Sequence, residues 1–221
     1  MTQLAWDETG KKVYETGTDR GVLFVIDGTS GSYGTGVAWN GLTGVSQSPD
    51  GASATPKYAD NVKYLNMISE ENFKGAINAY TYPDEFEACD GSKSPVKGLS
   101  VGQQTRAGFG LSYRTMVGND TEGTGYGYKL HLVYGATASP SKRDYQSIND
   151  SPDAITFSWD FTTTPVVVPG LKPSAHLVID STKVDATKLQ ALETALYGNS
   201  TGVSRLPLPA EVITLLGGAA G

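Results

Sequence analysis

The sequence is poor in the residues that most often carry covalent or metal chemistry. Of its 221 residues, one is cysteine and two are histidine. A single cysteine, Cys89, excludes a disulfide within the chain and a zinc site built from several cysteines. His131 and His176 leave little for metal binding or acid–base chemistry. Charged residues make up only 18% and hydrophobic residues 38%. Both values are below average for soluble proteins, but the apolar content is too high for a disordered chain.

Positive charge and long apolar runs are also scarce. The 17 basic and 23 acidic residues give a net charge of −6, which argues against a protein built to grip phosphate backbones. No stretch approaches the roughly 18 unbroken apolar residues of a membrane span. The segment Met1 to Glu8 lacks the basic start and apolar core of a signal peptide. We therefore expect a protein without a membrane span that is used inside the cell that makes it, or is released by lysis.

What is abundant is glycine, with 27 residues, and tyrosine, with 12. This composition predicts a mainly β protein with many turns, in one large domain or two small ones. Apolar and polar residues alternate in 109–114, 128–134 and 155–161, which predicts strands with one buried and one wetter face. Together these strands favour an antiparallel sandwich or barrel. Weaker patterns predict further strands in 21–27, 37–46, 62–68, 73–82 and 175–179. The strand at 62–68 is expected to be half-buried.

Several segments do not fit a compact sheet. Residues 1–19 are polar and predict an N-terminal arm that is flexible or depends on a partner. Residues 47–60 carry the turn signal Pro49-Asp50-Gly51 and have no apolar face, so they predict a protruding loop. Leucines at helical spacing predict a flanking helix over 185–197, with Gly198 as its end. Residues 198–221 predict a C-terminal arm, within which Pro209 opens a short helix whose leucines need a partner surface.

No pattern in the sequence predicts a catalytic site. His131 and His176 lie on predicted strands outside any glycine-rich elbow, and we interpret them as surface or edge-strand residues. Cys89 follows two glutamates, which disfavour a thiolate, so we expect a small buried apolar residue. The glycine-rich stretches 28–36 and 123–127 lack the residues of a phosphate-binding loop and predict hairpin loops. An acidic β protein of this kind is more typical of structural or binding roles than of an enzyme, and its protruding polar segments point to assembly.

A resemblance to a known family rests on a series of short stretches in a fixed order. They are Gly36-Val37-Ala38-Trp39-Asn40-Gly41-Leu42, Tyr58-Ala59-Asp60-Asn61, Ala79-Tyr80-Thr81-Tyr82-Pro83-Asp84-Glu85-Phe86, Gly118-Asn119-Asp120-Thr121-Glu122-Gly123, Tyr128-Lys129-Leu130-His131-Leu132-Val133-Tyr134-Gly135, Ile148-Asn149-Asp150-Ser151-Pro152, Ile155-Thr156-Phe157-Ser158-Trp159 and Thr162-Thr163-Thr164-Pro165. Over residues 20–197 the chain resembles the major tail proteins, or tail tube proteins, of bacteriophages with long, non-contractile tails. Related injection tubes outside phages share that subunit fold and remain open as an alternative.

The resemblance implies a β-sandwich subunit over 20–197 with a flanking helix. It implies hexameric rings whose inner sheets join into a continuous β-barrel and which stack into the tube that delivers the genome. The implied location is the virion tail, with the host cytoplasm during assembly. The implied partners are further copies of the chain, a tape-measure protein, a tail terminator and tail-tip or baseplate proteins. Phage DNA would pass through the lumen without specific binding, and no cofactor or metal is implied. We expect an acidic lumen, because acidic residues repel phosphates.

Three segments are the candidates for contacts between subunits or rings. Their residues are Ser48, Pro49, Asp50, Gly51, Ala52 and Ser53 of the predicted loop, Tyr82, Pro83 and Asp84, and Leu208, Val212 and Leu215 of the C-terminal arm. We expect that deletion of Ser48–Thr55 leaves a folded, soluble monomer that cannot stack. Two other functions stay open: a virion decoration or receptor- or carbohydrate-binding β-sandwich, and a hydrolase on a β scaffold.

Overall fold

The computed structural model describes residues 4–148 and 153–218, and these residues are 45% strand and 12% helix. The prediction of a mainly β protein is therefore confirmed. The strands are β1 Val13–Val25, β2 Val37–Ala38, β3 Leu42–Gln47, β4 Asp50–Gly51, β5 Ala54–Ala59, β6 Val62–Ile68, β7 Glu71–Asn72, β8 Lys74–Ala79, β9 Lys93–Val96, β10 Leu99–Val101, β11 Phe109–Asn119, β12 Gly123–Ala138, β13 Phe157–Thr163 and β14 His176–Asp180. The helices are α1 Glu87–Asp90, preceded by a 3-10 turn at Asp84–Phe86, α2 Ala186–Tyr197 and α3 Pro209–Leu215.

Eight of these strands form one large antiparallel sheet. The order is β2-β1-β11-β12-β13-β8-β3, and β14 also pairs with β12. Strands β2 and β3 stand at opposite ends of this order, yet only Trp39, Asn40 and Gly41 separate them in sequence. The Trp39 N–H also donates a 2.8 Å hydrogen bond to the Gly21 carbonyl of β1. The sheet therefore curls until its two ends approach each other.

The long strand β12 changes partner at Gly135. Its residues up to Val133 pair with β14, and its residues from Ala136 onward pair with β13. Gly135 has a φ of +57°, and a Cβ atom there would lie 2.4 Å from the Thr164 carbonyl oxygen. Only glycine tolerates both that conformation and that contact. This residue therefore sets the bend that lets one strand serve two partners.

Because side chains alternate along the strands, the two faces of the sheet contribute residues to two separate cores. Leu23 of β1 faces one core, whereas its neighbours Val22 and Phe24 face the other. The first core lies inside the curled sheet and is largely aromatic: Trp39 contacts Phe86 with ring centroids 4.7 Å apart and Trp159 at 5.9 Å. The second core lies on the outer face, where α2 and α3 cover the sheet.

Strands β11 and β12 differ from their predicted pattern because they lie between the two cores: the outer core covers the predicted wetter face of β11, whereas the inner side of the sheet covers that of β12, with His131 and Val133. Both segments, 109–114 and 128–134, were expected to have one wetter face, but in the middle of the sheet both faces are buried. Leu130, Leu132 and Tyr134 pack under the helices, together with Leu192 of α2. The wetter face predicted from polar residues is instead covered by elements distant in sequence.

The flanking helix is confirmed close to its predicted bounds. Asp185 is the N-cap, and its side chain accepts hydrogen bonds from the backbone N–H groups of Thr187 and Lys188. Leu189, Leu192 and Leu196 are the buried residues of α2. Burial of a leucine side chain stabilises a fold by roughly 1.5–3 kcal/mol, so this apolar stripe anchors α2 on the outer face of the sheet.

The two predicted arms are shorter than expected. Strand β1 begins at Val13, which pairs with Asn119 of β11, so the second half of 1–19 belongs to the large sheet. In 198–221, Leu206 and Val212 are buried in the outer core, so the partner surface for this segment is the chain's own domain. Residues 1–3 and 219–221 of these arms lie outside the described residues, as does the stretch 149–152 that contributed to the resemblance.

Candidate functional site: an exposed hairpin with a histidine pair at its root

Residues 48–73 form a long β-hairpin that extends from the large sheet, and we call it the exposed hairpin. Its arms continue β3 and β8, which pair with each other in the sheet. Beyond that pair, β4 pairs with β7, and then β5 pairs with β6. At about 3.3 Å per residue, the arm from Ser48 to Asp60 would reach on the order of 40 Å. The segment predicted as a loop over 47–60 is therefore one arm of a β-ribbon.

The tip of the exposed hairpin is a two-residue turn. Ala59 pairs with Val62, which leaves Asp60 and Asn61 as the connecting residues. Both have positive φ, at 50° and 64°, as a type I′ turn requires. Asparagine and aspartate tolerate that conformation better than most other residues do. The turn type fixes the register of the ribbon.

The exposed hairpin carries apolar side chains that its own domain does not cover. Every residue of β5 and β6 is exposed, although 62–68 was expected to be half-buried. The large apolar residues are Tyr58, Val62, Tyr64, Leu65, Met67 and Ile68. In β6, Tyr64 and Ile68 point to one face, whereas Leu65 and Met67 point to the other, because side chains alternate along a strand. Both faces of the ribbon therefore present apolar surface.

The predicted contacts Ser48, Pro49, Asp50, Gly51, Ala52 and Ser53 all lie on the first arm of the exposed hairpin and are exposed. Asp50 forms a salt bridge with Lys74 at the root of the other arm. The hydrogen bond and the charge of Lys74 lower the pKa of the Asp50 carboxyl. This exposed pair ties the two arms together where they leave the sheet.

The other predicted contacts lie on two separate elements. Tyr82 is half-buried against the inner core, with its ring centroid 5.3 Å from that of Trp159. Pro83 immediately precedes the 3-10 turn, and Asp84, the first residue of that turn, is exposed. On the C-terminal segment, Val212 is 3% exposed, Leu215 packs against the outer core, and Leu208 is 51% exposed. Of these three apolar residues, Leu208 keeps the largest free surface.

At the root of the exposed hairpin lie His131 and His176, which we call the histidine pair. The interpretation as a surface or edge-strand residue was wrong for His131, which lies in the middle of the sheet, whereas His176 does lie on an edge strand, because β14 pairs only with β12 among the described strands. His131 is 5% exposed, and its Nδ1 lies 3.1 Å from Nε2 of His176. The pairing of β12 with β14 explains why the two histidines are close. Val178 of β14 lies opposite His131, and His176, two residues before Val178, lies on the same face of the sheet.

Aromatic rings pack against both members of the histidine pair. The ring of Tyr113, the cross-strand neighbour of His131, is parallel to the His131 ring with centroids 4.6 Å apart. The ring of Phe73 stacks on His176 at 4.4 Å. The two imidazoles are nearly coplanar, with an interplanar angle of 8° and centroids 5.3 Å apart. That spacing fits a hydrogen bond in the ring plane, because each ring nitrogen lies about 1 Å from its centroid and the bond spans about 3 Å.

A chain of hydrogen bonds fixes the tautomer of His131. Glu15 Oε2 accepts a 3.3 Å bond from Thr115 Oγ1, since an ionised carboxylate only accepts. Thr115 Oγ1 must then accept at 3.1 Å from Nε2 of His131. His131 Nδ1 is left as an acceptor and receives the Nε2–H of His176. The chain therefore runs from His176 through His131 and Thr115 to Glu15, which pairs with Lys129.

Burial keeps both histidines neutral. Desolvation lowers the pKa of His131 to about 4, with Glu15 opposing the change and Lys129 reinforcing it. Desolvation also lowers the pKa of His176 to about 4, and the charge that His131 would carry acts in the same direction. At neutral pH the pair is therefore an uncharged hydrogen-bonded unit.

Within residues 4–148 and 153–218, no three side chains of histidine, cysteine, aspartate or glutamate come together as metal ligands. None of the helices in these two ranges has the length and apolar character needed to cross a membrane.

Cys89 is fully buried, and burial raises its pKa to about 12, helped by the nearby Asp90. The expectation of a small buried apolar residue at Cys89 is confirmed.

Comparison with known proteins does not assign the chain to a family: no family model matches it, and no curated protein matches it.

Two parts of this site went unrecognised in the sequence. The second arm of the exposed hairpin had a detectable signal, because Asp60-Asn61 between two strand-like segments is typical of a two-residue hairpin turn. The histidine pair had none. His131 and His176 are 45 residues apart, and only the register of β12 with β14 brings them together.

Proposed function

We propose that this chain is a self-assembling structural protein, and that the exposed hairpin is a surface through which copies of it contact each other. The observation that carries this proposal is the ribbon of apolar residues that no described part of its own domain covers. A two-stranded hairpin is marginally stable in water on its own. Large exposed apolar surfaces mark sites of protein association. Contact with a second copy would bury both faces of the ribbon.

Within that class, we propose a tail tube protein of a phage with a long, non-contractile tail. The support is the resemblance over 20–197, together with a mainly β domain. Hexameric rings would stack into the tube, with their inner sheets forming a continuous barrel, and closure of such a ring removes free sheet edges. A tape-measure protein, a terminator and tail-tip proteins would be the other partners. The subunit charge of −6 is repeated around each ring. It suits a conduit through which DNA must slide freely, because acidic residues repel phosphates.

The proposed role is structural rather than enzymatic. His131 is almost fully buried and makes its hydrogen bonds within the protein. Cys89 is fully buried, and its raised pKa disfavours the thiolate that acts as a nucleophile. Neither residue therefore offers a reactive group to a substrate.

Light scattering of the purified chain at rising concentration tests the proposal. We expect masses that grow in multiples of six subunits, and growth that starts sooner when tail-tip complexes are added as nuclei. A monomer at every concentration, with or without those nuclei, would contradict assembly.

A second candidate function is a virion decoration protein or a receptor- or carbohydrate-binding domain. The observation that favours it is the exposure of Tyr58 and Tyr64, at 69% and 74%, since exposed aromatic rings can stack on sugars. A glycan array separates the two candidates. Specific sugar binding that is lost in Tyr64→Ala, by a protein that stays monomeric, would favour this second function.

A further inference from the structure

We propose that the histidine pair is an acid-sensitive latch on the root of the exposed hairpin, so that proton uptake by the pair frees the hairpin from the sheet. This inference goes beyond the proposed function, because it concerns the attachment of the hairpin within one subunit. It holds whether or not copies of the chain assemble.

The residue that precedes the first arm and the residue that ends the second arm both touch the pair. Gln47 ends β3 just before the first arm begins, and its Nε2 lies 2.7 Å from the Tyr113 hydroxyl and 3.4 Å from Nδ1 of His131. Phe73 ends the second arm just before β8 begins, and its ring stacks on His176. The Ser48 N–H donates to the Lys74 carbonyl at 2.8 Å, which closes the root between these two side chains. The pair therefore contacts the chain on both sides of the root, at Gln47 and at Phe73.

Proton uptake would break the hydrogen bonds at Nδ1 of His131 one after the other. Its Nε2 already carries a hydrogen for Thr115, so a further proton binds at Nδ1, the atom that accepts from His176. The neutral His176 could still accept from this group by moving its own hydrogen to Nδ1, but a second proton, on His176, would leave two N–H groups facing each other across 3.1 Å. Once protonated, Nδ1 of His131 would also cease to accept from the amide of Gln47. The first proton thus removes the hydrogen bond from Gln47, and the second removes the bond within the pair.

The surroundings of the pair set the direction of its response to pH. Glu15 from β1 favours a charge on His131, Lys129 of β12 disfavours it, and each histidine disfavours a charge on the other. Tyr113 of β11 is held neutral by burial, and Glu71 of β7 lines the same surface cavity as His176. Burial outweighs Glu15 and keeps the pair neutral in the closed state.

Opening of the root must therefore become easier in acid. A histidine released to solvent regains an ordinary pKa near 6.5. Between pH 6.5 and the pKa of about 4 in the closed state, the open state binds protons that the closed state does not. By linkage, the closed state then loses stability relative to the open state as the pH falls. Above pH 6.5 neither state takes up protons at the pair, and the latch stays shut.

Hydrogen exchange of the full chain, read by mass spectrometry at pH 7.5 and pH 4.5, tests the latch. After correction for the intrinsic exchange rate, we expect protection of the root peptides 45–49 and 72–76 to fall by about tenfold or more at pH 4.5. Peptides from the centre of β11 and β12 should keep their protection. Root protection that stays constant, or that falls only together with that of the central strands, would overturn the proposal.

A paired variant supplies the control. His131→Asn keeps an acceptor where Nδ1 stands, and His176→Gln keeps a donor where Nε2 stands, but neither side chain titrates. The double variant should hold its root equally well at both pH values, with an unchanged circular dichroism spectrum. Gln47→Ala should loosen the root already at pH 7.5. If the double variant does not fold, NMR titration of the wild-type histidines decides: midpoints well below 6.5 support the latch, and ordinary midpoints refute it.

Discussion

Burial decides the chemistry of individual side chains in this protein. Cys89 sits in α1, under the aromatic rings of the inner core, and is fully buried. Tyr134 is also fully buried, and its hydroxyl donates to the Pro207 carbonyl at 2.8 Å. A side chain so placed acts through packing and internal hydrogen bonds, because water and reagents do not reach it.

The thiol of Cys89 is therefore expected to be inert in the folded protein. Thiolate is the reactive form, and the raised pKa of about 12 leaves almost none at pH 8. A thiol reagent at pH 8 should label the native chain far more slowly than the chain in denaturant. Fast stoichiometric labelling without denaturant would show that Cys89 is accessible.

Trp159 is expected to be a main support of the inner core. It is 1% exposed and packs against Trp39, Tyr82 and Phe86. Trp159→Ala should reduce the free energy of unfolding by about 3–5 kcal/mol, because truncation of a buried aromatic residue leaves a cavity. Urea unfolding measures the loss. Tyr145→Ala, at a side chain that is 69% exposed, is the control and should change stability by less than about 0.5 kcal/mol.

At the scale of elements, strand positions follow from the sequence better than strand surroundings do. The alternation in 109–114 and 128–134 correctly predicts β11 and β12, and the leucine spacing correctly predicts α2. The burial of both faces of β11 and β12 could not be read from that pattern, because it depends on how α2 and α3 pack on the outer face and how the sheet curls around the inner core. The same limit explains Val62–Ile68, whose apolar residues suggested burial but lie on the exposed hairpin.

The exposed hairpin is expected to be dispensable for folding and necessary for assembly. Deletion of Ser48–Thr55 alone would remove β4 and the start of β5 and leave β7, with Met67 and Ile68 of β6, without their partners. Replacement of residues 49–72 by a two-residue turn removes both arms and keeps the pairing of β3 with β8. We expect a monomer whose midpoint in urea is nearly unchanged and whose mass does not grow with concentration.

A matched control keeps the ribbon and changes only its tip. Asn61 has a φ of 64°, which glycine adopts freely, so Asn61→Gly should preserve the turn and the assembly. Normal assembly by the variant without the ribbon would show that the exposed hairpin is not needed for assembly.

The whole molecule combines a net charge of −6 with a pair of neutral buried histidines. Its overall stability should therefore depend on pH in mildly acidic solution. Unfolding releases both histidines to their ordinary pKa of about 6.5, so the unfolded state takes up protons first as the pH falls. Their contribution to stability is complete above pH 6.5 and decreases toward pH 4.

Urea unfolding at intervals from pH 7.5 to pH 4.5 measures this dependence. Between pH 6 and 4.5 we expect the free energy of unfolding to fall by on the order of 1 kcal/mol per pH unit for each histidine. The double variant His131→Asn/His176→Gln should show a distinctly shallower slope. Equal slopes for the two proteins would show that the histidine pair is not kept neutral by the fold.

Assembly of the whole chain is the central claim, and negative-stain electron microscopy tests it most directly. The chain is concentrated alone and also with tail-tip complexes, and then imaged. We expect rings with six-fold symmetry, or stacked tubes with a central channel, to form from the full chain and to be absent when residues 49–72 are replaced by a turn. Dispersed single subunits under both conditions, at concentrations where the fold is intact, would contradict it.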